Sequence, residues 1–284
     1  PAAALLHRPA IRIGRPYGAV HAERGIMKRY VLAIVVVAAV FLATLGAWKV
    51  STAQQKVAVG EAASASNDWA MPSLNFANTR NSTLSEITGD NVANLKVAWT
   101  MSTGATRGHE GQPLVIGDTM YYQSAYPNHV YAVDLSDYHI KWEYTPKQDP
   151  FAVSDACCDL VNRGVAYGDG QIVMAALDGQ IVGLDAATGR VLWNSKNANP
   201  ELGQTVTAAP LVVKDKVIVG VSGGEFGVRG YLTAYELASG KRAWRAYSEG
   251  PDSDTLIPAD FNGPHKAGVS TWHGDQWKVG GGTT

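Results

Sequence analysis

The sequence predicts an all-β protein built as a β-propeller, on three observations. Three twelve-residue stretches align without gaps: YAVDLSDYHIKW (131–142), VGLDAATGRVLW (182–193) and TAYELASGKRAW (233–244). Each stretch has an acidic residue followed eight positions later by a tryptophan, and the tryptophans are 51 residues apart. Short alternating apolar runs are bounded by Asp-Gly and Thr-Gly turns, which indicates antiparallel strands. A four-stranded unit that repeats every 45–50 residues or so is typical of a propeller blade.

The first element along the chain is a targeting segment, predicted at residues 27–53. Met27, Lys28 and Arg29 provide a positively charged start, Tyr30–Trp48 carries no charge, and small residues end the segment at Ala53. This is the pattern of a cleaved secretory signal peptide. An uncleaved membrane anchor is the alternative, because the apolar run is long enough to span a bilayer. Residues 1–26 precede the signal and are predicted not to belong to the mature protein.

The mature part, 54–284, is predicted to be the N-terminal part of a propeller. In the second repeat the four strands fall within RGVAYGDG, QIVMAALDG, QIVGLDAATG and RVLWNS. Residues 86–284 have room for about three to four blades, whereas closed rings typically have about 4–8. The sequence was therefore expected to be part of a larger ring. We expect the repeated tryptophans to pack between blades, and Asp134 and Asp185 to cap turns.

The third repeat departs from the others within VSGGEFGVRGY, residues 221–231. Asp118 and Asp169 each precede the next repeated acid by 16 residues, whereas Asp215 precedes Glu236 by 21. Insertions in repeat proteins map to one face of the scaffold, and often to the binding face. This insertion carries one carboxylate, Glu225, among glycines that allow close backbone approach to a ligand. It is the first candidate for a binding site.

Composition excludes several classes of function. Hydrophobic residues make up 46% of the chain and charged residues 17%, which is typical of a globular protein. The net charge is −1 and the mature part has no basic run, so nucleic acid is excluded as a partner. The seven histidines show no metal-ligand spacing, and SGGEFG lacks the Lys-Ser/Thr of a phosphate-binding loop.

The two cysteines, Cys157 and Cys158, are adjacent in SDACCDL. In an oxidising compartment they can form a disulfide, and two reduced, buried thiols are the alternative. Adjacent Cα atoms are only about 3.8 Å apart, whereas an ordinary disulfide needs roughly 4.4–6.8 Å. Such a bond would be strained and would close almost no loop, so stability is a poor reason for it. Strain of this kind is typical of ligand sites, and a stiff sulfur face suits a flat conjugated ligand.

Five motifs together resemble the quinoprotein alcohol dehydrogenases, and the methanol-oxidising members most of all. The motifs are GHEG (108–111), ACCDLVNRG (156–164), TVTAAP (205–210), SGGEFGVRG (222–230) and WKVGGGTT (277–284). The resemblance covers roughly residues 67–284. It implies a periplasmic, eight-bladed propeller that uses pyrroloquinoline quinone (PQQ) and a calcium or lanthanide ion.

The resemblance also implies roles for individual residues. Cys157 and Cys158 would form a disulfide that stacks on the quinone, Arg163 would lie near its reactive oxygens, and Glu225 would ligate the metal. The other cofactor contacts implied are Glu110, Thr207, Ser222, Gly223, Gly224 and Thr283. The family's second metal ligand, its stacking tryptophan and the aspartate that acts as general base would lie beyond residue 284. The chain alone was therefore expected to contain no catalytic base and to be inactive.

The function implied by this resemblance is oxidation of a primary alcohol, methanol or a similar one, to the aldehyde. A cytochrome c would accept the electrons, and a homodimer or a complex with a small subunit would be compatible with the family. The alternative is a non-catalytic exported propeller scaffold with the same blade motif. A scaffold predicts neither the cysteine pair nor an insertion bearing a glutamate.

Overall fold

The computed structural model describes residues 67–156, 159–261 and 269–281. In these ranges the chain forms strands and short 3₁₀ turns without any α-helix, which confirms the all-β prediction. No helix in the described ranges is long and apolar enough to cross a membrane. The predicted signal peptide lies outside the described residues. The 3₁₀ turns span Val92–Asn94, Pro150–Val153, Pro200–Leu202, Gly224–Phe226, Val269–Thr271 and Gln276–Lys278.

The strands follow one another in chain order with short connections. They are β1 (His109–Gln112), β2 (Leu114–Ile116), β3 (Thr119–Gln123), β4 (Val130–Asp134), β5 (Ile140–Tyr144), β6 (Asn162–Gly164), β7 (Ala166–Gly168), β8 (Gln171–Ala175), β9 (Gln180–Asp185), β10 (Val191–Lys196), β11 (Leu211–Val213), β12 (Lys216–Val219), β13 (Tyr231–Glu236) and β14 (Arg242–Tyr247).

Twelve of these strands form three antiparallel sheets of four, one for each predicted repeat. The sheets are β2-β3-β4-β5, β7-β8-β9-β10 and β11-β12-β13-β14, in simple meander order. We call them the first, second and third blades. The repeated acids behave as turn caps, as predicted. The Asp134 carboxylate accepts from the backbone N–H of Ser136 at 2.9 Å, and that of Asp185 accepts from Thr188 in the same way at 2.9 Å.

Two repeated tryptophans join neighbouring blades, as predicted. The indole of Trp142 in the first blade donates to the carbonyl of Ala186 in the second at 2.9 Å. Trp193 makes the equivalent bond to Leu237 in the third blade at 2.8 Å and is 8% exposed. Each ring lies on a turn glycine of the next blade, Gly189 and Gly240 respectively. A side chain at either glycine would overlap the ring.

Two more tryptophans, Trp99 before the first blade and Trp244 in the third, make other contacts. Trp99 stacks on Tyr138 with ring centroids 5.7 Å apart, and Tyr138 occupies the turn position that is glycine in the second and third blades. Trp244 is 36% exposed, and no blade packs on it within the described residues. The prediction of packing between blades is therefore confirmed for Trp142 and Trp193, whereas for Trp244 the described residues contain no following blade that could test it.

A parallel strand pair connects the first and second blades beside their first strands. Strand β1 pairs with β6, with His109 opposite Asn162 and Gln112 opposite Gly164. Asn162 is fully buried and donates to the carbonyl of Ala175 at 3.1 Å. The pairing brings GHEG and VNRG, two segments about 50 residues apart in sequence, to adjacent positions.

Candidate cofactor and metal site

Four of the predicted cofactor contacts form one connected chain of polar groups. The Arg163 guanidinium lies 3.2 Å from the Glu110 carboxylate, measured from Nη2 to Oε2. Its Nη1 donates to the Thr207 hydroxyl at 3.0 Å, and this hydroxyl lies 3.3 Å from the hydroxyl of Ser222. The structure therefore brings together residues that are more than 100 positions apart in sequence.

Backbone pairing determines this arrangement. The β1–β6 pair places Glu110 beside Arg163, and the Arg163 N–H donates to the Thr207 carbonyl at 3.1 Å. Thr205 and Ser222 form an antiparallel bridge, in which the Ser222 N–H donates to the Thr205 carbonyl at 2.9 Å. Each of these four segments is thus held by backbone pairing with another segment.

The charged pair at one end of this chain remains accessible to a ligand. The side chains of Arg163 and Glu110 are 46% and 49% exposed, whereas Ser222 is buried and Thr207 is partly buried. Arg163 thus takes part in a surface salt bridge, and its partner Glu110 is itself a predicted cofactor contact.

The insertion of the third blade forms a tight turn that carries Glu225. The 3₁₀ turn Gly224–Phe226 is flanked by Gly223 and Gly227, with φ of 121° and 80°. Gly223 is buried, and a Cβ there would overlap the carbonyl oxygen of Gly203. The turn therefore requires glycine at position 223. Glu225 is exposed at its apex and makes no hydrogen bond or ion pair within the described ranges.

Glu225 was predicted to ligate a metal, and the described residues around it do not complete a metal site. No group of three or more His, Cys, Asp or Glu side chains that could hold a metal occurs among them. A carboxylate oxygen is the donor that calcium-like hard cations prefer. Glu225 is therefore suited to provide one ligand of several, with the rest coming from the cofactor or from other residues.

Three of the predicted site residues, Cys157, Cys158 and Thr283, lie outside the described residues. The residue that follows the cysteine pair, Asp159, adopts a positive φ of 86° and its carboxylate lies 3.0 Å from the Arg107 guanidinium. Sequence reasoning missed Arg107 and Asp159. Their position directly next to GHEG and to the cysteine pair was the signal that could have identified them.

A second missed pair adjoins Glu110. The His109 ring Nδ1 lies 2.9 Å from the hydroxyl of Tyr122, and burial raises the pKa of that tyrosine. The other ring nitrogen lies 3.0 Å from the Ala105 carbonyl. His109 is thus held on both sides, which orients the strand that carries Glu110.

Comparison with known proteins assigns the chain to a family. The family model described as "PQQ: Glucose/ethanol/alcohol dehydrogenase, beta-propeller domain" matches residues 69–276. The chain belongs to this family of PQQ-dependent dehydrogenase propellers, and the resemblance drawn from the five motifs is confirmed.

Within this family, the chain is similar to individual methanol dehydrogenases. The chain is 58% identical over 224 residues to a lanthanide-dependent methanol dehydrogenase of Methylacidiphilum fumariolicum, covering 76% of this chain and 37% of the relative. It is 45% identical over 270 residues to methanol dehydrogenase [cytochrome c] subunit 1 of Methylobacterium organophilum, covering 90% of this chain and 43% of the relative. The chain thus spans about two fifths of the length of these relatives.

Solved structures confirm the propeller fold. A europium-containing methanol dehydrogenase matches with a TM-score of 0.72 and 57% identity, covering 75% of this chain and 38% of that one. The quinohemoprotein alcohol dehydrogenase from Comamonas testosteroni matches with a TM-score of 0.62 and 39% identity, covering 66% of this chain and 28% of that one. The three described blades therefore correspond to part of a longer chain in each of these proteins.

Proposed function

We propose that this chain provides one wall of a PQQ and metal site in an alcohol-oxidising quinoprotein. The observation that carries the proposal is the connected chain Glu110–Arg163–Thr207–Ser222, in which residues of four motifs meet at hydrogen-bonding distances. Membership of the PQQ-dependent family supports it. The Glu225 turn lies next to Ser222 in sequence and adds a carboxylate to the same region.

The side chains in this region suit the proposed cofactor. PQQ is flat and bears carboxylates and quinone oxygens, and when bound it accepts the hydride of the alcohol. The Arg163 guanidinium offers a fixed cation to oxygens that gain negative charge. The hydroxyls of Thr207 and Ser222 offer neutral hydrogen bonds, and Gly223 and Gly224 let the backbone approach closely. Glu225 would ligate the cation beside the quinone, and a bound cation makes a carbonyl more electrophilic.

We further propose that the alcohol is methanol or a similar primary alcohol and that the metal is a lanthanide. The relative that is 58% identical is named as a lanthanide-dependent methanol dehydrogenase, and the structure that is 57% identical contains europium. The cytochrome c named with the relative from Methylobacterium organophilum supports a cytochrome as electron acceptor. A homodimer and a complex with a small subunit are both compatible with this proposal.

Export through a cleaved signal peptide at 27–53 to the periplasm belongs to the same proposal. An oxidising periplasm would allow Cys157 and Cys158 to bond to each other. The proposed disulfide and Thr283 would add contacts to the cofactor, and the general base would come from residues outside this sequence.

The test measures how tightly the protein binds PQQ. The protein is produced from its complete coding sequence, and binding is followed by equilibrium dialysis with absorbance detection. Arg163→Lys keeps the positive charge but loses the planar fork that contacts Glu110 and Thr207. We expect PQQ to bind at least about tenfold more weakly, because a hydrogen bond to a charged group contributes about 1.5–3 kcal/mol.

The matched control is Arg242→Lys, the same replacement at an exposed position of β14. It should bind PQQ like the parent protein. Unchanged PQQ affinity in Arg163→Lys would contradict the proposed role of Arg163. A parent protein that binds neither PQQ nor metal would instead favour the scaffold alternative.

A further inference from the structure

Arg229 lies four residues after Glu225, and its guanidinium lies against two aromatic rings. Its guanidinium carbon is 3.9 Å from the ring centroid of Tyr247 and 4.6 Å from that of Trp277. Along its edge, Nη2 lies 2.9 Å from the Asp254 carboxylate and donates to the Glu249 carbonyl at 2.6 Å. The side chain is only 16% exposed. Two rings, a carboxylate and a carbonyl thus contact one guanidinium, so its position is closely determined.

These contacts join three separate segments. Tyr247 ends strand β14, Glu249 and Asp254 belong to the loop that follows it, and Trp277 lies in the 3₁₀ turn Gln276–Lys278. The segment 269–281 is also held to this loop by the Ser248 hydroxyl, which donates to the Gly281 carbonyl at 2.9 Å. Arg229 therefore links the insertion to the end of the third blade and to the segment that leads to Thr283.

Only residues 226–228 separate Glu225 from Arg229, and a backbone hydrogen bond closes the turn that carries Glu225. The Val228 N–H donates to the Gly223 carbonyl at 3.1 Å, and Val228 is 5% exposed. On the far side of the turn, a Cβ on Gly227 would lie 4.0 Å from the Cβ of Val279. The carboxylate of Glu225 thus sits on a turn with Val228 anchored on one side and segment 269–281 against the other.

We propose that Arg229 is a positioning residue for the metal ligand Glu225, which it holds in place through the turn and the segment 269–281. The inference rests on the proposed function, because it takes Glu225 to be a ligand. Arg229 itself would touch neither metal nor cofactor. Partners that orient a metal ligand typically change metal affinity about 10- to 100-fold when they are altered.

The test compares metal affinity in the PQQ-loaded protein from the complete coding sequence. Lanthanum would be titrated in a chelator-buffered series, and the metal retained would be measured by elemental analysis. Arg229→Lys keeps the charge near Asp254 but loses the planar stacking and the fork. We expect its lanthanum affinity to fall about tenfold. In the Glu225→Gln background, the same change should cause no further loss, because its effect passes through Glu225.

The matched control is Arg245→Lys, another arginine of the third blade that stacks on an aromatic ring. Its guanidinium carbon lies 3.7 Å from the ring centroid of Tyr231, and Nη2 donates to the Asn197 carbonyl at 3.0 Å. Tyr231 begins strand β13 and Asn197 follows strand β10, so these contacts lie outside the Glu225 turn and the segment 269–281, and lanthanum affinity should stay within about twofold of the parent. An equal loss in this control would show a general structural effect and would overturn the inference.

The remaining outcomes separate the inference from the function on which it rests. Unchanged lanthanum affinity in Glu225→Gln would overturn the metal-ligand assignment. A loss in Glu225→Gln with none in Arg229→Lys, or losses that simply add in the double variant, would overturn the positioning role alone. Should Arg229→Lys fail to fold, Asp254→Asn removes the ion pair and keeps the shape. It should weaken lanthanum binding in the same direction, and unchanged affinity would count against Arg229.

Discussion

The second and third blades have the same four strands but differ in one connection. In the second blade, residues 176–179 link β8 to β9, whereas in the third, residues 220–230 link β12 to β13. The shared positions are buried and join the blades, as Trp193 does at 8% exposure. The extra residues form an exposed turn with Glu225 at its apex. Where the repeat is kept, residues stabilise the fold, and where it is broken, a carboxylate is exposed on a tight turn.

The largest effect on stability is expected at the junction of these two blades. Trp193→Ala removes a buried indole and its bond to Leu237. We expect the free energy of unfolding to fall by about 3–5 kcal/mol, as for other large-to-small changes in a core. Chemical denaturation followed by tryptophan fluorescence and circular dichroism measures it. A loss below about 1 kcal/mol would mean that the junction does not depend on the repeated tryptophan.

A smaller loss is expected at the glycine beneath that tryptophan. Gly240 has a φ of 67°, and a Cβ there would lie 2.5 Å from the Trp193 ring. Gly240→Ala should destabilise the fold by about 2–3 kcal/mol through strain and overlap. Gly117→Ala is the control, since Gly117 has a similar φ of 55° but open space around it. If both variants lose the same stability, backbone strain alone explains Gly240 and the overlap with Trp193 is unimportant.

The smallest effect is expected at Tyr231, where the chain returns from the insertion to the repeat. Burial raises the pKa of its phenol to about 12, and its hydroxyl donates to the Asn197 carbonyl at 2.6 Å. The folded protein binds the phenol proton more tightly than the unfolded chain, whose tyrosine has a pKa of about 10. The resulting contribution to the free energy of unfolding is complete below pH 10 or so and is lost as the pH rises towards the folded value of about 12. At about pH 11.5 this loss should reach about 2 kcal/mol.

Tyr231→Phe tests this by removing the titrating group. Its free energy of unfolding should fall less steeply between about pH 9 and 11.5 than that of the parent protein. Parallel curves for the two proteins would show that Tyr231 does not ionise in this range and that other groups cause the alkaline loss.

Much of the site could be predicted from sequence because its residues lie in short, specific motifs. Glu110, Arg163, Thr207 and Ser222 were each identified before their contacts were visible. The ion pair of Arg163 with Glu110 could not be predicted, because it depends on the parallel pairing of β1 with β6. Arg107, Asp159 and Arg229 were missed for the same reason. Their partners are distant in sequence, and no spacing rule connects them.

By itself, the sequence determined the blades and the place where they depart from regularity. Alternating apolar residues, turn residues and a tryptophan at a constant spacing are local signals, and local signals specify strands and turns. Only the tertiary structure decided which polar residues meet, which tryptophans are buried and how the Glu225 turn is held. These features depend on contacts between blades, and such contacts arise when separate sheets stack and bury their faces together. Trp193 illustrates the point, because its place in the repeat is a local signal, whereas its burial at 8% exposure depends on the third blade that packs on it.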